Sequence, residues 1–293
     1  MKTISQFLKL IRVDHWIKNG MIFIPAFFSG RIFDLPLNTI YDLFILFSSF
    51  CLACSIIYIV NDVLDVEKDK YHPIKFTRPL ASGFFTKKQT LIIAFILLII
   101  FISLFPYLKS SGLYVILYIA LNLSYSVSLK KIPIVDVSCI GLGYILRIKS
   151  GGVMSDIFVS HWILIIVFFL TVSIAFAKRR DDLILSQKYI YRDVQKEYNI
   201  VFMDVAETIG FSVTLITYIL YTVSEDVIER IGSNKLYLTS IPVFIGIMRY
   251  IQLSIVERKS GCPMNILMKD LYLKIVIIIW FFIFTIILYG KNL

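Results

Sequence analysis

The sequence predicts an all-α polytopic membrane protein with nine transmembrane helices, and three observations predict it. Of 293 residues, 58% are hydrophobic and only 17% charged, with a mean hydropathy of +0.81; soluble domains are nearer half apolar and a quarter charged. The apolar residues gather into nine segments, at 16–30, 43–60, 89–106, 112–129, 133–150, 162–178, 206–223, 236–254 and 271–289. Most are close to the ~20 residues that span a bilayer. Lys and Arg are unevenly shared between the connections: 22 fall in 1–18, 61–88, 130–131, 178–204 and 255–274, against 7 in the alternate ones. This asymmetry predicts a multi-pass protein of the inner (plasma) membrane, with its N terminus and the Lys-rich loops facing the cytoplasm. The net charge of +10 then calls for no nucleic acid as a partner, because the excess faces anionic membrane lipids.

Taken in order, residues 1–19 put Phe7, Leu8, Leu10 and Ile11 near one side of a helix with Lys2, Lys9 and Arg12 elsewhere. An amphipathic helix over 1–15 lying along the leaflet is expected, and no cleavable signal peptide. The first apolar segment is short and carries Pro25, which predicts a broken or tilted span. Between the later spans, the polar stretches 61–88 and 178–205 are the large cytosolic loops, the second able to form a small cap. Without a linker or low-complexity stretch, residues 1–293 read as one integral-membrane domain. Cys51, Cys54, Cys139 and Cys262 read as small core residues, since Cys51-x-x-Cys54 lies inside an apolar helix without the partners of a zinc or redox site.

The most charged stretch, Asn61–Gly83, follows directly on the apolar run 43–60. Read as a continuing helix, it places Asp62, Asp65 and Asp69 at i, i+3 and i+7 on one face. Carboxylates that close repel one another, and a divalent cation relieves the repulsion at neutral pH. Hard oxygen ligands favour Mg2+, which takes few carboxylates and completes its shell with water and substrate phosphates. Asn61 can add an amide oxygen, so Asn61, Asp62, Asp65 and Asp69 form the expected ligand set. His72, Lys75 and Arg78 follow as cationic or donor groups, and His72-Pro73 and Arg78-Pro79 shape the loop after the helix. A plain solvated loop is the bland alternative. Against it stand the in-phase carboxylates and an ionisable group at a membrane helix end.

Other candidates are scattered along the chain. Lys18 and Asn19 precede the first span, where interfacial anchoring is ordinary but a surface phosphate is within reach. Tyr125-Ser126-x-x-Leu129-Lys130 closes the fourth segment; Asp136, at the mouth of the next, could complete a metal shell or orient a Lys. Arg147, eleven residues on, could face the far headgroups or turn inward if Gly141, Gly143, Gly151 and Gly152 loosen the packing. Lys178, Arg179, Arg180, Asp181 and Asp182 mix signs where a plain anchor would carry cations alone, which suggests an anion site oriented by its own carboxylates. There is no nucleophile elbow, no Gly-rich phosphate loop before a soluble helix, and too few histidines for a zinc site. Chemistry in which Mg2+ holds a diphosphate leaving group fits what remains.

Asn61-Asp-x-x-Asp65 followed by Asp69 resembles the first aspartate motif of UbiA-type intramembrane prenyltransferases, a superfamily of nine helices around a central cavity. Within it, four features are similar to decaprenyl-phosphate phosphoribosyltransferases: the run from Asn61 through His72-Pro, Lys75 and Arg78-Pro to Gly83; Tyr125-Ser-x-x-Leu-Lys130 with Asp136; Leu146-Arg147 with Gly151; and Ala177-Lys178-Arg179-Arg180. The resemblance implies transfer of 5-phosphoribose from phosphoribosyl diphosphate to a polyprenyl phosphate, with Mg2+ as cofactor and diphosphate released. It implies Asp62, Asp65 and Asp136 as catalytic residues. Lys18, Asn19, Asn61, His72, Lys75, Arg78, Tyr125, Lys130, Arg147, Lys178 and Arg179 would bind substrate. It also implies an apolar groove for the lipid tail and a trimer as the assembly. Typical prenyl-transferring members carry a second aspartate-rich motif where this chain has Lys178-Arg-Arg-Asp-Asp182, and the extra cations suit a donor with a 5-phosphate. The competing expectations are an isoprenyl transfer to an aromatic acceptor and a transporter or lipid-binding protein without chemistry.

Overall fold

Every regular element of the computed structural model is helical among the residues it describes, which are 2–71, 75–185, 197–261, 266 and 269–290. Contacts gather the chain into two compact units, Met1–Val127 with Leu146–Val159 and Ser128–Ile145 with Ser160–Leu293, where the sequence offered no boundary. Among the described residues, six stretches are long and apolar enough to cross a membrane: Leu37–Leu64, Lys87–Val127, His161–Ile184, Ile200–Val223, Leu236–Val256 and Leu271–Tyr289.

The first unit is built around one helix. α1 (Lys2–Leu10) leads into Arg12, whose left-handed φ of 52° turns the chain into a 3-10 helix at Val13–Phe23 and a short α2, Ile24–Phe28. Pro25 sits in the first turn of α2, where a missing N–H costs nothing, just after the 3-10 segment gives way to α-helix. α3 (Leu37–Leu64) buries Leu43, Leu46, Phe50, Ala53, Cys54 and Ile57 against Leu108, Val115, Tyr118 and Met154. α5 (Lys87–Leu104) starts on a capping box of Thr86 and Gln89; it follows the short α4, Val66–Lys70.

The run Lys87–Val127 is 41 residues long, about twice the thickness of a hydrocarbon core as a straight helix. Lys109, at φ 51° and ψ −138°, interrupts it, and α6 begins at Gly112 and ends at Val127. In the most apolar window of α3, 61% is buried, against 17% in Lys87–Val127. α3 is therefore the core of the unit, while Phe95, Ile96, Ile102, Leu113 and Ile116 face outward, as lipid permits.

α7 (Val135–Met154) contributes its residues from Leu146 onward to this unit. A Cβ on Gly151 would lie 1.9 Å from the carbonyl oxygen of Ile22, so only glycine lets α7 meet the 3-10 segment. This glycine tightens packing where the sequence suggested loosening.

The second unit holds the first half of α7 and α8 (His161–Leu185), α9 (Ile200–Val223), α10 (Glu225–Ile231), α11 (Ser240–Ile251) and α12 (Leu271–Tyr289). α8 and α9 pack on each other through Val172, Ala175, Phe176 and Met203. Side-chain caps fix two N-termini: Asn199 accepts from the Phe202 N–H at 2.7 Å, and Asp270 from the Leu273 N–H at 2.7 Å. α11 runs on through one π turn at Gln252–Val256. Because α8 continues to Leu185, Lys178–Asp182 is helix where the sequence suggested loop.

Candidate active site

In the first unit the charged stretch folds back on itself. α3 stops at Leu64, and Asp65, at φ −97° and ψ 5°, separates it from α4. The single helical face expected for three aspartates is therefore broken. Asp62 and Asp69 still meet, both buried, because Arg78 spans them: its Nη1 lies 3.1 Å from Asp62 Oδ1 and 2.5 Å from Asp69 Oδ2. Arg12 reaches Asp62 at 2.5 Å while its guanidinium lies 4.4 Å from the Tyr58 ring centroid, and Lys75 stands 3.6 Å from Asp69. Asp65 is half-buried and pairs with no other described side chain. Asn61 is half-buried, with its backbone oxygen capped by the Asp65 N–H. His72 lies outside the described residues.

Among the described residues no three His, Cys, Asp or Glu side chains come close enough to share a metal. Two carboxylates converging on one cationic nitrogen do suit Mg2+, which is held by one or two carboxylates when substrate phosphates supply the rest. The three cations are only partly covered, Arg12 at 18%, Arg78 at 28% and Lys75 at 39% side-chain exposure. A divalent ion with an anionic substrate could exchange with them.

Arg147 has turned inward within the same unit. It is 6% exposed; its Nε donates to Asn19 Oδ1 at 2.7 Å and its Nη2 to the Tyr118 hydroxyl at 2.9 Å, with Cys54 Sγ at 3.5 Å. The contact of Gly151 with Ile22 is what brings the 3-10 segment, and Asn19 with it, to this arginine. Asn19 is fully buried and also donates to Cys51, so it sits in the packed interior and not at the surface envisaged from sequence. Cys51, Cys54 and Cys139 are free and buried, as expected of core residues; Cys262 lies outside the described residues. Lys18, half-buried, lies on the 3-10 segment and Tyr125, also half-buried, on α6.

The second unit carries a tighter arrangement. Asp136 is fully buried: Arg179 Nε donates to Oδ2 at 3.0 Å and the Tyr198 hydroxyl to Oδ1 at 3.0 Å. Both oxygens of Asp136 are thus engaged by side chains, and the paired cation is an arginine where the sequence suggested a lysine. Arg180 pairs with Asp204 and donates to the carbonyls of Ser254, at 3.0 Å, and Ile255, at 3.4 Å. These groups lie in the π turn, whose shifted hydrogen bonding presents backbone oxygens sideways. Arg180 is thus a pin between helices. Lys178 lies half-buried on α8, and Lys130, half-buried, in a 3-10 turn at Leu129–Lys131.

Three participants were missed in the sequence: Arg12, Tyr118 and Tyr198. Arg12 read as a surface charge of an amphipathic helix, and neither tyrosine stands out in a chain with 17 of them.

The profile of the UbiA prenyltransferase family matches residues 23–261. Decaprenyl-phosphate phosphoribosyltransferase of Mycolicibacterium smegmatis is 28% identical over 289 residues, covering 94% of this chain and 90% of that protein. The protein of the same name from Corynebacterium glutamicum is 27% identical over 281 residues, covering 94% and 84%. Among solved structures, a UbiA homolog from Archaeoglobus fulgidus bound to GPP and Mg2+ aligns with a TM-score of 0.69 at 18% identity, over 98% of each chain. Digeranylgeranylglyceryl phosphate synthase aligns at 0.66 and 19%; both share the fold. A family match over most of the chain, relatives of nearly full length and a common helical architecture agree, and the chain belongs to the UbiA prenyltransferase family.

Proposed function

We propose that this protein transfers 5-phosphoribose from phosphoribosyl diphosphate to a polyprenyl phosphate in the inner membrane, releasing diphosphate. The observation that carries the reading is the convergence of buried Asp62 and Asp69 on one partly exposed arginine, in a chain whose near full-length relatives bear the name of that activity. Asp62 and Asp69, with Asn61 and Asp65 beside them, would hold Mg2+ on the diphosphate, and the metal would stabilise charge on the leaving group. Arg78 and Lys75, once released from the carboxylates, bind the phosphate oxygens, and His72 is assigned to the same set from its place in the sequence. Lys18, Lys130, Lys178 and Arg179 are assigned to the 5-phosphate and the lipid phosphate, with Tyr125 as a hydroxyl donor. Asp136 is a positioning residue for Arg179. Asn19 and Arg147 belong to the substrate set through the buried polarity they give the interior.

The bond from ribose C1 to the diphosphate oxygen breaks, the electron pair leaves with diphosphate, and a lipid phosphate oxygen bonds to C1. The attacking phosphate is already an anion, so no strong base is needed and the protein's work is alignment and stabilisation of leaving-group charge. In-line attack inverts the anomeric centre. Nine crossings around a central cavity, a cytoplasmic N terminus and active face, a lipid-side groove for the tail and a trimeric assembly complete the reading.

A second reading, transfer of an isoprenyl chain to an aromatic acceptor, draws on the GPP and Mg2+ held by the Archaeoglobus homolog. Purified protein tested with each donor separates the two. Consumption of phosphoribosyl diphosphate that depends on polyprenyl phosphate supports the first, and turnover of an allylic diphosphate with an aromatic acid in its place overturns it.

A further inference from the structure

The Ile134 backbone is strained, with φ at +67° in a β-branched residue that avoids this region. Its N–H points at the Tyr198 hydroxyl, 2.5 Å away. An amide N–H can only donate, so the phenol oxygen accepts there and gives its own proton to Asp136 Oδ1, 3.0 Å away. Asp136 Oδ2 takes the Arg179 Nε–H at 3.0 Å. The relay runs from Ile134 through Tyr198 and Asp136 to Arg179, and all three side chains in it are buried.

The ring of Tyr198 is itself held, stacked on Phe202 at 5.6 Å and 13° and set edge-on to Phe176 at 6.4 Å. A carboxylate gripped at one oxygen turns easily about its last torsion, which is broad. Gripped at both, it fixes the plane of the guanidinium beside it. Burial, with the Asp136 charge adding to it, pushes the Tyr198 phenol up to about 12, so it stays a donor at every working pH.

We propose that Tyr198 is the positioning residue that orients Arg179 for phosphate recognition, acting through Asp136. The inference rests on the proposed role of Arg179 as a phosphate ligand.

The test is Tyr198→Phe in the full-length purified enzyme, which keeps the ring and removes only the hydroxyl. kcat/KM for phosphoribosyl diphosphate should fall about ten- to a hundredfold, the order expected for a misplaced binding group, and by the same factor at pH 6.5 and 8.5. The stabilisation of the protein by phosphoribosyl diphosphate in a thermal melt should shrink, while the melting temperature without it stays within a few degrees. In an Arg179→Lys background the same substitution should cost less than about threefold, because residues acting as one unit are not additive. Unchanged kcat/KM, or full additivity with Arg179→Lys, overturns the proposal.

If Tyr198→Phe yields no folded protein, Asp136→Asn reads the same link and should show the same loss and the same non-additivity. A wild type that consumes an allylic diphosphate instead overturns the donor assignment but not Tyr198, whose substitution is then measured on that substrate. A wild type that consumes neither overturns both.

Discussion

The Asp62–Arg78–Asp69 cluster of the first unit and the Asp136–Arg179 pair of the second both join aspartate to arginine but differ in how they are closed. Asp62 and Asp69 share three partly exposed cations from three places in the sequence, Arg12, Lys75 and Arg78. Asp136, fully buried, has one arginine, 3% exposed, and one tyrosine, 8% exposed. The first arrangement is open to exchange, since losing one cation leaves each carboxylate another. The second is fixed, since losing its cation leaves a charge in the dry interior. A charged cluster read from sequence can therefore be a place where substrate ions trade or a frame that aims one side chain. Accessibility decides between them, and composition does not.

The comparison breaks most sharply at Asp62. Asp62→Asn should reduce kcat by about 10²–10³-fold, the order seen when one electrostatic partner of a developing charge is removed. The protein should stay folded, checked by its melting temperature in detergent; activity near wild type would make the first cluster a mere ion network. Next comes Arg179→Ala, which should destabilise by about 3–5 kcal/mol because it strands a buried carboxylate, read as a loss of folded yield and a lower melting temperature. Arg78→Gln should destabilise less than Arg179→Ala, because Arg12 and Lys75 stay beside the two buried carboxylates, while KM for the diphosphate substrate rises. Equal destabilisation by Arg78→Gln and Arg179→Ala would erase the distinction.

The smallest effect concerns a third ion pair, Arg249 with Asp270, at 2.6 Å. The hydrogen bond from Arg249 holds the Asp270 carboxyl below its ordinary range. A depressed carboxylate lends stability above its unfolded pKa of about 3.9 and loses it as pH falls through the folded value. Arg249→Gln should therefore lower the melting temperature slightly at pH 7. The gap from wild type should narrow as pH falls below the unfolded value and close as it passes the lower folded one.

The helical class and the gathering of Asp62, Asp69, Lys75 and Arg78 in one place were legible, because they depend on composition and on residues within 17 positions of one another; that the cations would pair with the carboxylates was not. The break at Asp65 was not, since no glycine or proline marks it and 61–70 reads as uninterrupted helix. Nor were the long-range partners. Arg12 meets Asp62 across 50 positions, Tyr198 meets Asp136 across 62 and Asn19 meets Arg147 across 128. Only the fold brings such residues together, as with Asn19 and Arg147, which meet where Gly151 lets α7 lie against Ile22.

The π turn at Gln252–Val256 bears on which insertions and deletions the chain tolerates. Such a turn is an α-helix carrying one residue too many, so shortening it by one would regularise the hydrogen-bond ladder. It would also swing every residue beyond it by about 100° and withdraw the two carbonyls that Arg180 grips. The surplus residue is in this sense a spacer, and a shortened homologue would need a different anchor for the end of α8.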